Sequence, residues 1–278
     1  MKVPQPSALQ YSALQLAWLQ ELGIEKPWLP SEQVAAKKSN PPLAVTAVTH
    51  APTRVPLRPS GVTPSRPAVR AASASQSAAE LVMDTNALAA SAHDLTTLAK
   101  QIAGCTACGL CRGRQQAVPG EGIMQPSIMV IGEAPEALDD REGRPFVDRP
   151  GLMLDNMLTA IQSSRAHNVY VSNMVKCRPP GNRNPKPIEL QACKPFLMRQ
   201  IELVRPFSIL AVGRAAQSLL ETQEPLDQLR QVTHSLTVVG QKIPLIVTYH
   251  PALLLNHPGE KAAVWQDLQL LKTVSGMS

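Results

Sequence analysis

No aromatic residue occurs between Trp28 and Phe146, and from Ser31 to Glu80 half of the 50 positions are Ala (11), Pro (7) or Ser (7). Such a stretch cannot bury enough apolar surface to offset the entropy of ordering it. With six Lys/Arg against Glu32 and Glu80, it reads as a flexible, slightly basic tether. Any packed domain must therefore lie outside it. Before the tether, Tyr11 to Leu22 carries Leu14, Leu16, Trp18, Leu19 and Leu22 at helical spacing, with Gly23 as a stop. This predicts a short amphipathic helix that is either a docking peptide or a dispensable leader. The chain divides into an N-terminal segment (1–30), a disordered linker (31–87) and a domain (88–278) long enough to build a core without disulfides.

The five cysteines are too few and too unevenly spaced for a secreted disulfide scaffold, and Met1 to Pro6 opens no apolar signal core. No run approaches the roughly 18 uncharged apolar residues of a membrane span. The expected compartment is a reducing cytoplasm, where clustered cysteines point to metal more often than to disulfide. A net charge of +6 permits a polyanionic partner without requiring one.

From Leu88 onward β-like runs at 127–132, 168–173, 207–213 and 243–249 alternate with helical patterns at 152–161, 188–204, 215–220 and 262–271. Apolar strands alternating with helices imply a three-layer α/β/α fold around a mostly parallel four-stranded sheet. Ligands of such sheets sit at the carboxyl ends of the strands. Those ends are Gly132-Glu133-Ala134-Pro135, Asn173, Gly213 and His250-Pro251, which should be neighbours in space.

Cys105, Cys108 and Cys111 fall at intervals of three, followed by the distant Cys177 and Cys193. Four of these thiolates could hold one tetrahedral metal or one iron–sulfur cluster. Alternatively, Cys177 and Cys193 are buried apolar cysteines and the first three bind zinc incompletely or nothing. Cys193 shares a helical face with Leu190, Leu197 and Ile201, so its sulfur should point inward, with Pro195 breaking or kinking the helix nearby.

Four motifs occur in order: Gly132-Glu133-Ala134-Pro135; Gly143-Arg144-Pro145-Phe146-Val147; Ser172-Asn173 through Lys176-Cys177-Arg178-Pro179-Pro180; and His250-Pro251-Ala252-Leu253-Leu254. Together with the cysteine frame they resemble the family 4 uracil-DNA glycosylases, which carry a [4Fe–4S] cluster on an α/β fold. The resemblance implies an enzyme that flips uracil out of DNA, hydrolyses its glycosidic bond and leaves an abasic site for base excision repair. It assigns Asn173 to reading the base, Phe146 to stacking on it and His250 to hydrogen bonding at the departing O2. The loop Gly132 to Pro135 is expected to turn backbone N–H groups toward O2 and to hold the attacking water with its carbonyls, so that Glu133 and Ala134 are site positions largely through their backbone and Pro135 completes the loop. Asp139 or Asp140 is read either as a water-positioning carboxylate or as part of a solvated charge run.

By the same resemblance Cys105, Cys108, Cys177 and Cys193 are the cluster ligands and Cys111 is the spare. The cations of the Arg178–Lys186 segment are expected to touch the DNA backbone, and Leu253 to Leu255 could wedge into the stack or simply pack on the sheet. Two departures stand out, Glu136 and Asp148, where the family has glycine. They raise the alternative of a catalytically weakened iron–sulfur DNA-binding module. The partner is uracil-containing DNA, no membrane is involved, and the chain is expected to act as a monomer. The run Tyr11–Trp28 faintly resembles the leading segment of the psi subunit of bacterial DNA polymerase III, which suggests a replisome partner for residues 1–30.

Overall fold

The computed structural model describes residues 85–277. The helix and replisome-docking role read at Tyr11–Trp28, and nearly all of the tether, lie outside them. Within the described residues the strands are β1 (Glu121–Gly122), β2 (Ile128–Gly132), β3 (Val169–Asn173), β4 (Ser208–Val212), β5 (His234–Val238) and β6 (Gln241–Thr248). They form one sheet in the order β1-β3-β2-β4-β6-β5. The inner four are parallel, as expected. β1 and β5 are antiparallel additions at the two edges, so the sheet has six strands rather than four.

The helices that position the site are α1 (Leu95–Gly104), α2 (Ala137–Glu142), α3 (Arg149–Ala160), α4 (Pro187–Val204), α5 (Ala215–Leu220), α6 (Leu226–Leu229), α7 (Pro251–Asn256) and α8 (Lys261–Val274). The three layers follow from strand alternation. Ile128 and Val130 of β2 enter one apolar cluster with Leu154 and Leu158 of α3 and Leu268 and Leu271 of α8. Met129 and Ile131 enter the opposite cluster with Leu197 and Ile201 of α4 and Ala215 of α5. Every residue of β2, β3 and β4 is buried, which is why these strands read as continuous apolar runs. Of the break or kink expected at Pro195, the break does not occur, since α4 runs on through it, and Cys193 is buried as foreseen. The helix absorbs a lost N–H because Phe196, Leu197 and Ile201 beyond the proline are all buried against the sheet and the cysteine corner.

From β2 the chain goes to β3 on one side and to β4 on the other, so the strand order diverges at β2. A crevice at the carboxyl end of β2 is the natural ligand position in such a sheet.

Candidate active site

Gly132 ends β2 opposite Asn173, the last residue of β3. A Cβ at Gly132 would lie 2.4 Å from Asn173 Oδ1 and 2.7 Å from Phe146 Cζ, so only glycine lets the carboxamide and the ring close on the strand end together. Asn173 is 0% exposed, yet neither its Oδ1 nor its Nδ2 has a hydrogen-bond partner. A buried carboxamide with both ends unmet costs free energy that folding alone gives no reason to spend. It presents an unmet donor and an unmet acceptor side by side at the strand end.

Phe146 is buried and adopts a left-handed φ of 55°. Its ring centroid lies 5.6 Å from that of His250, tilted by 30°. The recess beside them, walled by Ala134, Glu136, Asp139 and Asp148, holds about 10 Å³, room for about one water and too little for a pyrimidine. Asn173 therefore lies sealed behind the Phe146 ring, a closure that the sequence did not disclose.

His250 caps α7, its Nδ1 accepting from the Ala252 N–H at 3.3 Å. That bond assigns the ring proton of the neutral form to Nε2. Burial pushes the imidazole pKa down to about 4, so at neutral pH the ring is an uncharged Nε2–H donor.

The loop Glu133–Glu136 forms one wall of a groove of about 190 Å³, faced by Pro179 and the segment Asn182–Pro185 with His250 at its end. Two of the strand-end carbonyls are already engaged: Gly132 O accepts from Met174 N (2.8 Å) and Glu133 O from Val175 N (3.2 Å). Burial raises the Glu133 carboxyl pKa, and Arg214 partly offsets the rise.

Asp139 and Asp140 are buried rather than part of a solvated run. Asp139 Oδ1 accepts from Val147 N and Oδ2 from Glu136 N, joining the two site loops. Asp140 Oδ1 accepts from Gln115 N. Glu136 and Asp148 precede α2 and α3 with φ of −94° and −85°, ordinary values for any L-residue, so the missing glycines leave no backbone strain. Burial raises the Glu136 carboxyl pKa, and the charges of Asp139 and Asp148 raise it further. Arg183 is held by Glu189 at 2.6 and 2.8 Å, which ties the Asn182–Pro185 wall to α4 instead of leaving that cation free for phosphate. Leu254 is buried in the core, whereas Leu253 and Leu255 are half-buried, so the leucine run packs on the sheet at its centre.

Cys105, Cys108, Cys177 and Cys193 belong to one cluster with Leu98, Ile102 and Phe196, and Cys111 lies outside it. Burial pushes the Cys193 thiol up to about 12 and the Cys108 thiol up to about 11, with the neighbouring cysteine charges adding to the rise. Donors converge on the same sulfurs, Arg114 Nη1 on Cys177 at 3.0 Å and the Lys176 N–H on Cys193 at 3.3 Å. Thiolates buried together need such positive partners or a metal to exist at all. Among the described residues no three His, Cys, Asp or Glu side chains close on a single ion.

One participant escaped the sequence reading. Lys176 is 1% exposed, and its Nζ donates to Asn173 O (2.8 Å), Ser172 Oγ (2.6 Å) and Gln200 Oε1 (2.7 Å). Burial brings its pKa down to about 8. It braces the main chain of Asn173 from behind, a role visible only once β3 and α4 are packed together.

An α/β/α sheet carries a buried carboxamide, a phenylalanine and a neutral histidine at its strand ends, and residues 119–269 match the uracil DNA glycosylase superfamily. The chain is 38% identical over 184 residues to a type-4 uracil-DNA glycosylase of Saccharolobus solfataricus, covering 64% of this chain and 85% of the relative. It is 36% identical over 178 residues to the type-4 uracil-DNA glycosylase of Thermotoga maritima, covering 63% of this chain and 92% of that one. A Pyrobaculum aerophilum type-4 enzyme is 38% identical, with 64% and 92% covered. The chain belongs to the type-4 uracil-DNA glycosylases.

Proposed function

We propose that the chain excises uracil from DNA by hydrolysing its N-glycosidic bond, releasing free uracil and leaving an abasic site with the strand intact. The observation that carries this reading is the buried, doubly unpartnered Asn173 carboxamide at the strand end. With its Nδ2 donating to O4 and its Oδ1 accepting from N3–H, it is satisfied by uracil. Cytosine presents an amino donor and a bare N3 instead, leaving both ends mismatched. The Phe146 ring turns aside to admit the flipped base and then stacks on it. As the glycosidic bond breaks, charge collects on O2 of the leaving uracil, where the His250 Nε2–H donates without itself needing to be cationic. The N–H groups of the Glu133–Pro135 loop add to that stabilisation. The attacking water is held by the same loop. Asp139, both of whose oxygens already accept main-chain bonds, keeps the walls in register.

Cys105, Cys108, Cys177 and Cys193 would hold a [4Fe–4S] cluster. The fit rests on four sulfurs in one apolar corner and N–H donors aimed at Cys177 and Cys193. Such a cluster supplies a cross-link between the loop after α1, the end of the β3 motif and α4, and takes no part in hydrolysis. Residues 88–278 form the glycosylase domain in this reading, which acts as a monomer. The alternative of a weakened binding module draws no support from Glu136 and Asp148, which sit without strain.

The test is an oligonucleotide carrying one deoxyuridine. Free uracil should appear while the strand stays whole until alkali cleaves it at the abasic site. Binding without base release over long incubation would defeat the enzyme reading. The purified protein should be brown with a broad visible band, whereas a colourless protein with stoichiometric zinc would defeat the cluster.

A further inference from the structure

Phe146 is held in place from a distance. Its φ of 55° is a left-handed conformation that a bulky residue adopts only where its surroundings impose it. The Val147 N–H is bound to Asp139 on one flank. On the other, Arg165 Nη1 donates to Pro145 O at 2.8 Å and Nη2 to Phe146 O at 2.8 Å. Arg165 is itself fixed by two further elements, with Nε on Asp155 of α3 at 2.7 Å and Nη1 on Glu121 of β1 at 2.9 Å. The second oxygen of Glu121 is held by Arg144. The Phe146 carbonyl is also pressed onto the start of α3, where a Cβ at Gly151 would stand only 1.8 Å from it. Arg165 lies in the loop after α3, outside all four sequence motifs, and its side chain is 17% exposed.

We propose that Arg165 is a positioning residue for uracil excision: its planar fork locks the main chain of Phe146, so that only the ring moves when a base enters and the ring returns to one stacking position. A guanidinium can bridge two consecutive carbonyls and two carboxylates at once, whereas an ammonium, a point charge on a flexible stem, cannot. The proposal rests on Phe146 being the residue that stacks on the base.

The experiment uses the full chain, with Arg165→Lys, Arg165→Gln, Phe146→Ala and the Arg165→Lys/Phe146→Ala pair. Two quantities are read: the single-turnover rate of uracil release, and affinity for an oligonucleotide bearing a tetrahydrofuran abasic site, which has no base to stack. Arg165→Lys should slow base release about tenfold, the scale of one lost aromatic–base stack, and the pair should be no slower than Phe146→Ala alone. Abasic affinity should stay within about twofold of wild type, an outcome that general loosening of the fold would not leave intact. Arg165→Gln, which lacks the charge, should show the same pattern and serves if the lysine variant folds poorly. A wild-type rate in both Arg165 variants, multiplicative losses in the pair, or abasic affinity falling in step would overturn the proposal while Phe146→Ala remains slow. An unchanged rate in Phe146→Ala would instead overturn the stacking role, and the proposal with it.

Discussion

Asn173 holds two polar atoms out of water with nothing to meet them, and each such atom costs about 1–3 kcal/mol. Asn173→Leu, which keeps the same heavy-atom branching, should therefore melt at the same temperature as wild type or higher, while uracil release falls at least about 10²-fold. Thermal melts beside single-turnover rates check this pair of outcomes, and a destabilised variant would mean the carboxamide serves the fold. His250 carries a second expectation. An unfolded imidazole takes its proton near 6.5, but the folded one does so only near 4. Between those values unfolding takes up a proton, so this contribution is fully present above pH 6.5 and is lost as pH falls towards 4. A series of melts across that range should show His250→Gln losing less stability than wild type. At this scale the motif residues Asn173, Phe146 and His250 were legible in the sequence, because each stands beside a strand end or a proline. Arg165 and Lys176 were not. Their partners are 10 to 44 and 3 to 24 positions away, and nothing local marks a side chain whose role is to hold another residue's carbonyl.

Among the elements, the parallel strands and their helices were readable because burial on both faces leaves an unbroken apolar run. β5 was not. Its residues alternate between half-buried and exposed, and it pairs only with Gln241 to Leu245 of β6, a stretch that contains Pro244. Pro244 is tolerated because pairing of β6 with β4 begins only at Leu245, so at that point the strand has just the edge neighbour β5. The extent of α4 was readable from 188 to 204, but whether Pro195 breaks it was not, since burial of the turns beyond a proline is a tertiary fact. The cysteine corner gives the expectation for this scale. Cys193→Ala, on α4 inside the apolar cluster, should lose the visible band and the bound iron, whereas Cys111→Ala, outside it, should keep both. Iron content and absorbance of the two purified variants distinguish them, and the reverse order would reassign the ligands.

For the whole molecule, charge is a weak guide to how DNA is held. Residues 96–278 carry a net +4, and a four-thiolate cluster would lower it further. Arg183, the cation that lines the groove, is occupied by Glu189 and so is not free for phosphate. All the residues assigned to the pocket fall between 132 and 250. A chain beginning at residue 85 should therefore release uracil from a short oligonucleotide within about twofold of the full-length rate, leaving residues 1–84 a role in delivery. A large loss on truncation would place part of the site in that segment. The most direct measurement is single-turnover base release from matched oligonucleotides carrying uracil or cytosine at one position. Wild type should free uracil and leave cytosine in place, and Asn173→Leu should lose uracil release while still binding the abasic product. Release of both bases, or uracil release by Asn173→Leu at the wild-type rate, would contradict the reading of the base by a buried carboxamide.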